Sequence, residues 1–414
     1  MLHQTDPNTL SHLYKPQQLW LYRTKPKDDE LFSSWLVRLA HGLAVKLQFF
    51  STQVLKQQPG FWTGDVDKAP NDVALSRLAD GTGISFQRVL HTDLASYEGT
   101  LWASYHHKGP LAWVLPIRRN GRQRRGYGQQ FCVQCLREDQ EPFFRRRWRL
   151  AFCVVCDRHH CYLEDACPTC SAPIAFHTRD FGQRLLPLKN DITVCGSCGV
   201  DLRSNVMSPI SQIAVPPQLL NLQLRLYQAL RDGYSDALPG GACYAHLFFD
   251  GLRYLVRALI SEGRPSRLRR YLLRQNGELG LGVASRRSRP VFEELRIGDR
   301  VHTLLMCTGL IERWPTLFVS GCRQSKVSSS YLIRYDVTMP YWLSSIISEY
   351  LDDRDYAPCD EERQSVIQYL QKTNTEISEN LIRRWLGVSH TNKDLNKKRA
   401  RWNFRGPRSA PFDF

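Results

Sequence analysis

The chain has 414 residues, of which 42% are hydrophobic and 23% are charged. These fractions exclude a disordered chain and indicate more than one folded domain, since a domain commonly has about 100 to 200 residues. The formal net charge of +16 favours a polyanionic partner, with nucleic acid as the first candidate. No apolar run approaches the roughly 18 residues of a membrane-spanning helix, and residues 1–10 lack the pattern of a secretory signal. We therefore expect neither membrane insertion nor export.

The positive charge is concentrated in three windows. Residues 118–149, 264–300 and 383–408 carry net charges of +7, +6 and +8, so the rest of the chain is net negative. Most of these cations are arginines, whose planar guanidinium suits phosphates and base edges. The alternative for each window is a solvated linker. The predicted nucleic-acid contacts are Arg118, Arg119, Arg122, Arg124, Arg125, Arg145, Arg146, Arg147, Lys393, Lys397, Lys398, Arg399 and Arg401.

The first predicted element is a helix within residues 26–55. Apolar residues recur at three-to-four spacing over residues 31–39, and Arg38 falls off this stripe. The acidic run at residues 28–30 precedes the stripe, and acidic residues in a first turn complement the helix dipole. The pattern therefore predicts a helix with an acidic first turn.

A second pattern predicts two short helices around a glycine-containing turn. The helices are expected at residues 72–80 and 86–90, with Ser85 as the N-cap of the second. A helix-turn-helix has this layout, although an ordinary helical hairpin has it too. The segment 101–130, rich in glycine and arginine, is typical of a connector or basic arm.

Nine of the 13 cysteines lie between residues 132 and 198. In a chain without a secretory signal, such clustering indicates metal binding rather than a disulfide framework. Two ligands three residues apart on a tight turn can face one ion, and two such half-sites complete a tetrahedral zinc shell. We predict two structural zinc ions, one held by Cys132, Cys135, Cys156 and His159 and the other by Cys167, Cys170, Cys195 and Cys198.

Alternatives remain open at the first predicted zinc site. Cys153 also stands three residues before Cys156, His160 follows His159, and Cys161 is unassigned. Apolar neighbours favour a buried thiol for Cys153. The motifs of zinc deaminases, zinc proteases and P-loop ATPases are absent, so the zinc is predicted to be structural and the chain is predicted not to be an enzyme. Composition alone does not exclude a metal-dependent nuclease.

Helical spacing recurs through the C-terminal half, and a second helix-turn-helix is predicted near its end. That motif would use a helix at residues 377–386, a turn at Gly387, Ser389 as N-cap and a basic helix at residues 390–402. The predicted fold class is mostly α. The predicted domains are an N-terminal helical, helix-turn-helix-like domain (1–117), a basic arm with a double zinc module (118–205), a helical domain (206–360), and a terminal helix-turn-helix with a basic tail (361–414).

Five motifs in the first 200 residues follow one another in a recognisable order. They are P-x-x-D-E-x-x-x-S-W-L-x-R from Pro26, C-x-x-C-L-x-E-D from Cys132, R-R-x-W-R-L from Arg145, C-x-x-H from Cys156 and C-P-x-C from Cys167. Through them the chain resembles the TniQ/TnsD family of transposon target-selection proteins. Cys153 departs from the family pattern, and the C-terminal half is only loosely similar.

The resemblance implies a non-catalytic adaptor of DNA transposition in the bacterial cytoplasm, associated with the nucleoid. Such proteins bind target DNA or dock on an RNA-guided CRISPR effector with its guide RNA, and they recruit an AAA+ ATPase of the TnsC/TniB type that engages the transposase. Members that dock on an effector are often homodimers. The same resemblance carries over the eight zinc ligands named above. The competing hypotheses are a stand-alone transcription regulator with structural zinc and a nuclease or transposase.

Overall fold

The computed structural model describes residues 19–68, 71–117, 119–120, 123–124, 126–178, 192–204, 208–238, 241–261, 265–276, 291–332, 339–351 and 359–386. The chain divides into two compact units. Unit 1 comprises residues 1–237, 241–249 and 279–308, and unit 2 comprises residues 238–240, 250–278 and 309–414. The predicted boundaries at 117/118 and 205/206 both fall inside unit 1.

Helices dominate the described residues, which confirms the predicted fold class. The helices are α1 (Phe32–Gly42), α2 (Leu47–Phe49, continued by a π-helical turn over Phe50–Val54), α3 (Asp72–Thr82), α4 (Phe86–Leu90), α5 (Val133–Glu138), α6 (Pro217–Asp232), α7 (Ala245–Ile260), α8 (Pro265–Asn276), α9 (Ile297–Glu312), α10 (Thr316–Gln324), α11 (Ser329–Leu332), α12 (Tyr341–Tyr350), α13 (Asp360–Lys372) and α14 (Glu379–Leu386). Short 3₁₀ turns cover Phe61–Thr63, Ala95–Tyr97, Arg146–Arg149, Phe176–Thr178, Pro209–Gln212 and Phe292–Glu294. The strands are β1 (Arg119–Asn120), β2 (Gln123–Arg124), β3 (Tyr234–Ser235) and β4 (Cys243–Tyr244), and they form two antiparallel pairs, β1 with β2 and β3 with β4. No helix in these described ranges is both long and apolar enough to cross a bilayer.

Helix α1 begins later than its sequence pattern predicts. Its N-cap is Leu31 and its first turn holds no acidic residue, so the predicted acidic first turn is wrong. The side chain of Glu30 instead lies buried before the helix, 2.6 Å from the guanidinium of Arg38. Burial raises the pKa of Glu30, and the charge of Arg38 opposes that rise. This ion pair explains how Arg38 packs against the core although it lies off the apolar stripe.

The helix pair α3 and α4 has the local structure that the sequence predicts. Asn71 caps α3 by accepting a hydrogen bond from the Ala74 amide, and Ser85 caps α4 by accepting one from the Arg88 amide. Between the helices Gly83 takes φ 72°, which glycine adopts without a Cβ clash. Helix α4 has only five residues, so it presents a short surface to any partner.

The segment predicted as a connector, residues 101–130, contributes to the core of unit 1. Trp113 is 1% exposed, and its ring lies 5.6 to 6.1 Å from the rings of Phe152, Phe249 and Phe292. Its backbone amide donates to Glu293 at 2.8 Å, and its indole donates to the Phe249 carbonyl at 3.1 Å. Leu111 and residues 113–115 are thus core, and a boundary at residue 117 would cut beside this aromatic cluster.

Two arginines near the start of helix α9 contact other residues of unit 1. Arg296 contacts Asp165 at 2.8 Å, and the same carboxylate accepts a hydrogen bond from the Ile297 amide. Arg300 is fully buried and donates to the Ala151 carbonyl and to Gln130. Burial lowers the pKa of Arg300 to about 10. These contacts explain why residues 279–308 belong to unit 1, although the sequence predicts them within a separate helical domain.

Unit 2 is built from helices alone in its described part. Gly251 of α7 lies against the indole of Trp342, whose ring also meets Trp314 edge-on at 5.0 Å. Helices α13 and α14 form a hairpin whose centre is the buried cluster of Leu370, Ile382 and Leu386. Helix α14 is the first helix of the predicted terminal helix-turn-helix; the predicted turn and second helix, residues 387–402, lie outside the described residues.

Asp93 provides a prediction for the pH dependence of stability. Its carboxylate accepts a hydrogen bond from the Ser96 amide at 3.1 Å, and desolvation raises its pKa from 3.8 to about 6. The folded state therefore binds the proton more tightly than the unfolded state, so stability contributed here is present below pH 4 and is lost as pH rises through 6.

We expect Asp93→Asn to keep the Ser96 contact and to raise the free energy of unfolding at pH 7 by up to about 3 kcal/mol. The gain should vanish near pH 4. Urea unfolding at several pH values measures both effects. A destabilisation at pH 7 would show that the carboxylate charge is favourable where it lies.

Candidate metal centres

The first cluster brings together the four residues that the sequence predicts as one zinc site. The sulfur atoms of Cys132, Cys135 and Cys156 lie 3.4, 3.3 and 3.5 Å from Nδ1 of His159. Cys135 and Cys156 are 3.6 Å apart, and all four donor atoms lie within 4.8 Å of one another. Three of the four side chains are buried, so the donors converge at the edge of the core rather than in solvent.

The second cluster contains the other four predicted ligands. The sulfur atoms of Cys167 and Cys198 are 3.7 Å apart, those of Cys170 and Cys195 are 3.8 Å apart, and all four lie within 4.8 Å. Cys167 and Cys195 are buried, whereas Cys170 and Cys198 are exposed. This cluster therefore stands closer to solvent than the first.

Three of the four half-sites share one backbone turn. In each, the amide of the first ligand donates to the carbonyl five residues later, and the residue after the second ligand donates back to the carbonyl of the first. That residue has positive φ in every case. The three residues are His160 (φ 50°), Ser171 (φ 56°) and Gly199 (φ 78°). The repeated turn explains why ligands stand three residues apart, because it directs positions one and four of the turn to the same point.

The remaining half-site, Cys132 with Cys135, uses a helix start instead. Cys132 is the N-cap of α5, and its sulfur accepts the Cys135 amide at 3.5 Å. Phe131 and Glu164 exchange backbone hydrogen bonds of 3.0 and 2.8 Å. This pairing holds the helix start beside the turn that carries the other two ligands.

The structure separates the alternatives that the sequence leaves at the first cluster. His160 occupies the left-handed position of its turn and is exposed, whereas the ring of His159 points into the cluster. Cys153 is 1% exposed and accepts a hydrogen bond from the Tyr227 hydroxyl at 2.7 Å. Cys153 is thus a buried thiol outside the cluster, as its apolar neighbours suggest. Cys161 stands beside the cluster, 3.7 Å from the Cys132 sulfur.

His159 has a further partner that sequence reasoning did not identify. Its Nε2 lies 3.0 Å from the carboxylate of Glu138, which also contacts Arg158 at 2.6 Å. Such a carboxylate fixes the ring orientation and leaves Nδ1 free to bind a metal. The only sequence signal for Glu138 is its place in the C-x-x-C-L-x-E-D string.

Both clusters have the dimensions of a tetrahedral metal site. Bonds of about 2.3 Å to sulfur and about 2.05 Å to nitrogen give edges of about 3.8 Å between sulfurs and about 3.6 Å between sulfur and nitrogen. The observed sulfur separations of 3.6 to 3.8 Å match, and they exceed the disulfide length of about 2.05 Å. Because the protein supplies four donors to each cluster, the arrangement suits an ion that stabilises the fold.

The predicted nucleic-acid contacts Arg145, Arg146 and Arg147 have partners within the chain. Arg145 makes two hydrogen bonds to Asp139, at 2.9 and 3.2 Å, and is 7% exposed. Arg147 contacts Asp29 at 2.9 Å and Asp157 at 2.7 Å, while Arg146 bonds to the His91 carbonyl and Ser96. A phosphate would have to displace these partners, so the three arginines first serve to hold unit 1 together.

The other predicted contacts lie where the structure gives no side-chain positions. Arg119 and Arg124 face each other across the β1–β2 pair, but only their backbone is described. The others lie outside the described residues and are Arg118, Arg122, Arg125, Lys393, Lys397, Lys398, Arg399 and Arg401. Their role in nucleic-acid binding stays a prediction.

Comparison with known proteins locates one family region. Residues 21–163 match the TniQ family, and no curated protein sequence matches the chain. The matched region begins before α1, includes the helix pair α3 and α4, and ends after the last ligand of the first cluster. Residues 21–163 are therefore a TniQ-family region, and this region lies within unit 1.

Proposed function

We propose that this chain is a non-catalytic adaptor that selects the target site in DNA transposition. The match of residues 21–163 to the TniQ family carries this proposal and supports a role in target selection. In the full proposal, the chain binds target DNA or an RNA-guided CRISPR effector. It then recruits an AAA+ ATPase of the TnsC/TniB type and, through it, the transposase.

Zinc is the metal that we propose for both clusters. Thiolate and imidazole donors in tetrahedral geometry suit zinc, and the repeated turns hold these donors at the required spacing. When bound, the ion would cross-link segments that share little other secondary structure. Its chemistry here is structural, and Glu138 would hold His159 in the ligating orientation.

Nucleic-acid contact is proposed for the basic windows rather than for any single residue. The concentration of arginine and lysine at residues 118–125 and 393–401 supports it, since phosphate neutralisation supplies most non-specific affinity. Guide RNA and target DNA are both polyanions, so charge supports either partner equally. A homodimer would be the form that docks on an effector.

Two assays test this function with the full-length, metal-loaded protein. In a transposition reaction with the cognate ATPase and transposase, we expect insertion at the target to require the chain. Targeted insertion that proceeds equally without the chain would refute the adaptor role.

Capture of the chain from its native host, with nuclease treatment as the control, separates RNA-guided targeting from direct DNA reading. Recovery of an RNA-guided effector with the chain indicates that guide RNA reads the target sequence. Recovery of one DNA sequence together with the ATPase indicates that the chain reads it directly.

The helix pair α3 and α4 favours a second candidate, a transcription regulator. Its glycine turn and capped short second helix have the layout of a DNA-reading motif. A regulator would form a stable promoter complex and would show no affinity for an AAA+ partner. Recovery of the ATPase in the capture experiment therefore excludes it.

A further inference from the structure

Helix α8 of unit 2 carries three exposed arginines on one face. Arg267, Arg270 and Arg274 are separated by three and four residues, the spacing that aligns side chains along a helix. The opposite face is buried, since Leu268 is 1% and Leu272 is 0% exposed. The helix is therefore held by its apolar face and presents the arginines to solvent.

The position of α8 is fixed by close packing on α10. A Cβ atom added at Gly321 would lie 2.8 Å from Leu268 Cδ1 and 3.1 Å from the ring of Tyr271. Such contact leaves little room for α8 to turn about its axis. The three arginines are thus oriented in advance, which lowers the entropy lost when a ligand binds them.

Within the ranges that the structure describes, no hydrogen bond or ion pair engages Arg267, Arg270 or Arg274. This contrasts with Arg147 and Arg149, which are paired with aspartates. Like charges three or four residues apart on a helix repel one another. Because the three arginines repel one another, a ligand with several negative charges relieves more of this repulsion than a ligand with one charge.

We propose that Arg267, Arg270 and Arg274 bind the phosphodiester backbone of a nucleic acid. The row spans about 10 Å at 1.5 Å per residue, which corresponds to about three phosphates at 3.4 Å of axis per charge on one strand. The guanidinium fork suits phosphate oxygens and binds two at once. This surface would serve the proposed function by holding nucleic acid without reading its sequence. The inference rests on that function only for the identity of the polyanion.

The test replaces all three arginines with glutamine in the full-length, metal-loaded protein. The matched control replaces Lys46, Arg225 and Arg231, three exposed cations of unit 1, so both variants lose the same charge. Fluorescence anisotropy measures binding to a random-sequence duplex and to a single-stranded RNA between 50 and 200 mM salt. For duplex DNA, we expect the slope of log affinity against log salt to become shallower by about 2 to 3, and affinity at 50 mM salt to fall about tenfold or more.

The two nucleic acids identify the source of the phosphates, because a loss confined to one of them assigns the surface to that partner. Equal losses in the α8 variant and the control would show that net charge alone matters and would overturn the proposal, as would unchanged binding. If the triple variant does not fold, Arg270→Gln alone should reduce the slope by about 1. Wild-type activity in the transposition assay tests the adaptor role separately, so the two proposals fail independently.

Discussion

Cys135→Ser is expected to remove one of two bound metal ions and to unfold the region around the first cluster. Cys135 is central to this cluster, with His159 Nδ1 at 3.3 Å and the Cys156 sulfur at 3.6 Å. Binding at structural zinc sites contributes about 10 to 16 kcal/mol to the folding of small zinc domains, so loss of a thiolate removes more stability than a typical core mutation. Metal released by denaturation should fall from about two ions to about one per chain. Limited proteolysis should then cut within residues 126–178.

Cys153→Ser is the matched control for this experiment. Cys153 is buried and only three residues from Cys156, but its sulfur bonds to Tyr227 and lies outside the cluster. We expect this variant to retain both ions. The pair His159→Ala and His160→Ala extends the comparison, since only the first removes a donor atom. Full metal content in Cys135→Ser, or loss of metal in Cys153→Ser, would refute the ligand assignment.

Arg149→Met is expected to destabilise unit 1 by about 3 to 5 kcal/mol, because it leaves buried carboxylates without their partner. Arg149 is 0% exposed and lies 2.6 Å from Asp65 and 2.8 Å from Asp67. Burial raises the pKa of Asp67 to about 6 even with the arginine present, and its removal should raise that pKa further. The loss of stability should therefore be smaller at pH 6 than at pH 8.5, because protonation of Asp67 at the lower pH removes its unpaired buried charge. Urea unfolding at the two pH values measures the difference.

Two further variants separate charge from packing at Arg149. Adding Asp67→Asn to Arg149→Met should restore part of the stability, since it removes one unpaired buried charge. Arg231→Met removes an arginine that is 76% exposed and paired with its neighbour Asp232, and it should change stability by less than about 0.5 kcal/mol. If the double variant is no more stable than Arg149→Met, the loss arises from the cavity rather than from the carboxylates.

Local features of the chain could be predicted from sequence because their causes lie within a few residues. The caps Asn71 and Ser85, the turn at Gly83 and the paired half-sites all follow from the conformational and ligand preferences of nearby side chains. The same reasoning placed the start of α1 too early, because acidic residues before an apolar stripe have the same pattern whether they lie in a helix or in the loop that precedes it. Here the buried contact of Glu30 with Arg38 holds them outside the helix.

The mostly helical class, the family region and the eight converging cysteine and histidine donors were predictable from sequence, since spacing and ordered motifs are sufficient for each. Three features depend instead on how the chain packs: the burial of Trp113, the choice of His159 over His160 at the cluster, and the pairing of the arginines. Charge counts cannot distinguish Arg145, which is bound to Asp139, from Arg270, which is exposed and has no such partner among the described residues. Whether a guanidinium reaches a carboxylate of its own chain depends on contacts between residues distant in sequence. Those contacts form only when helices and turns pack.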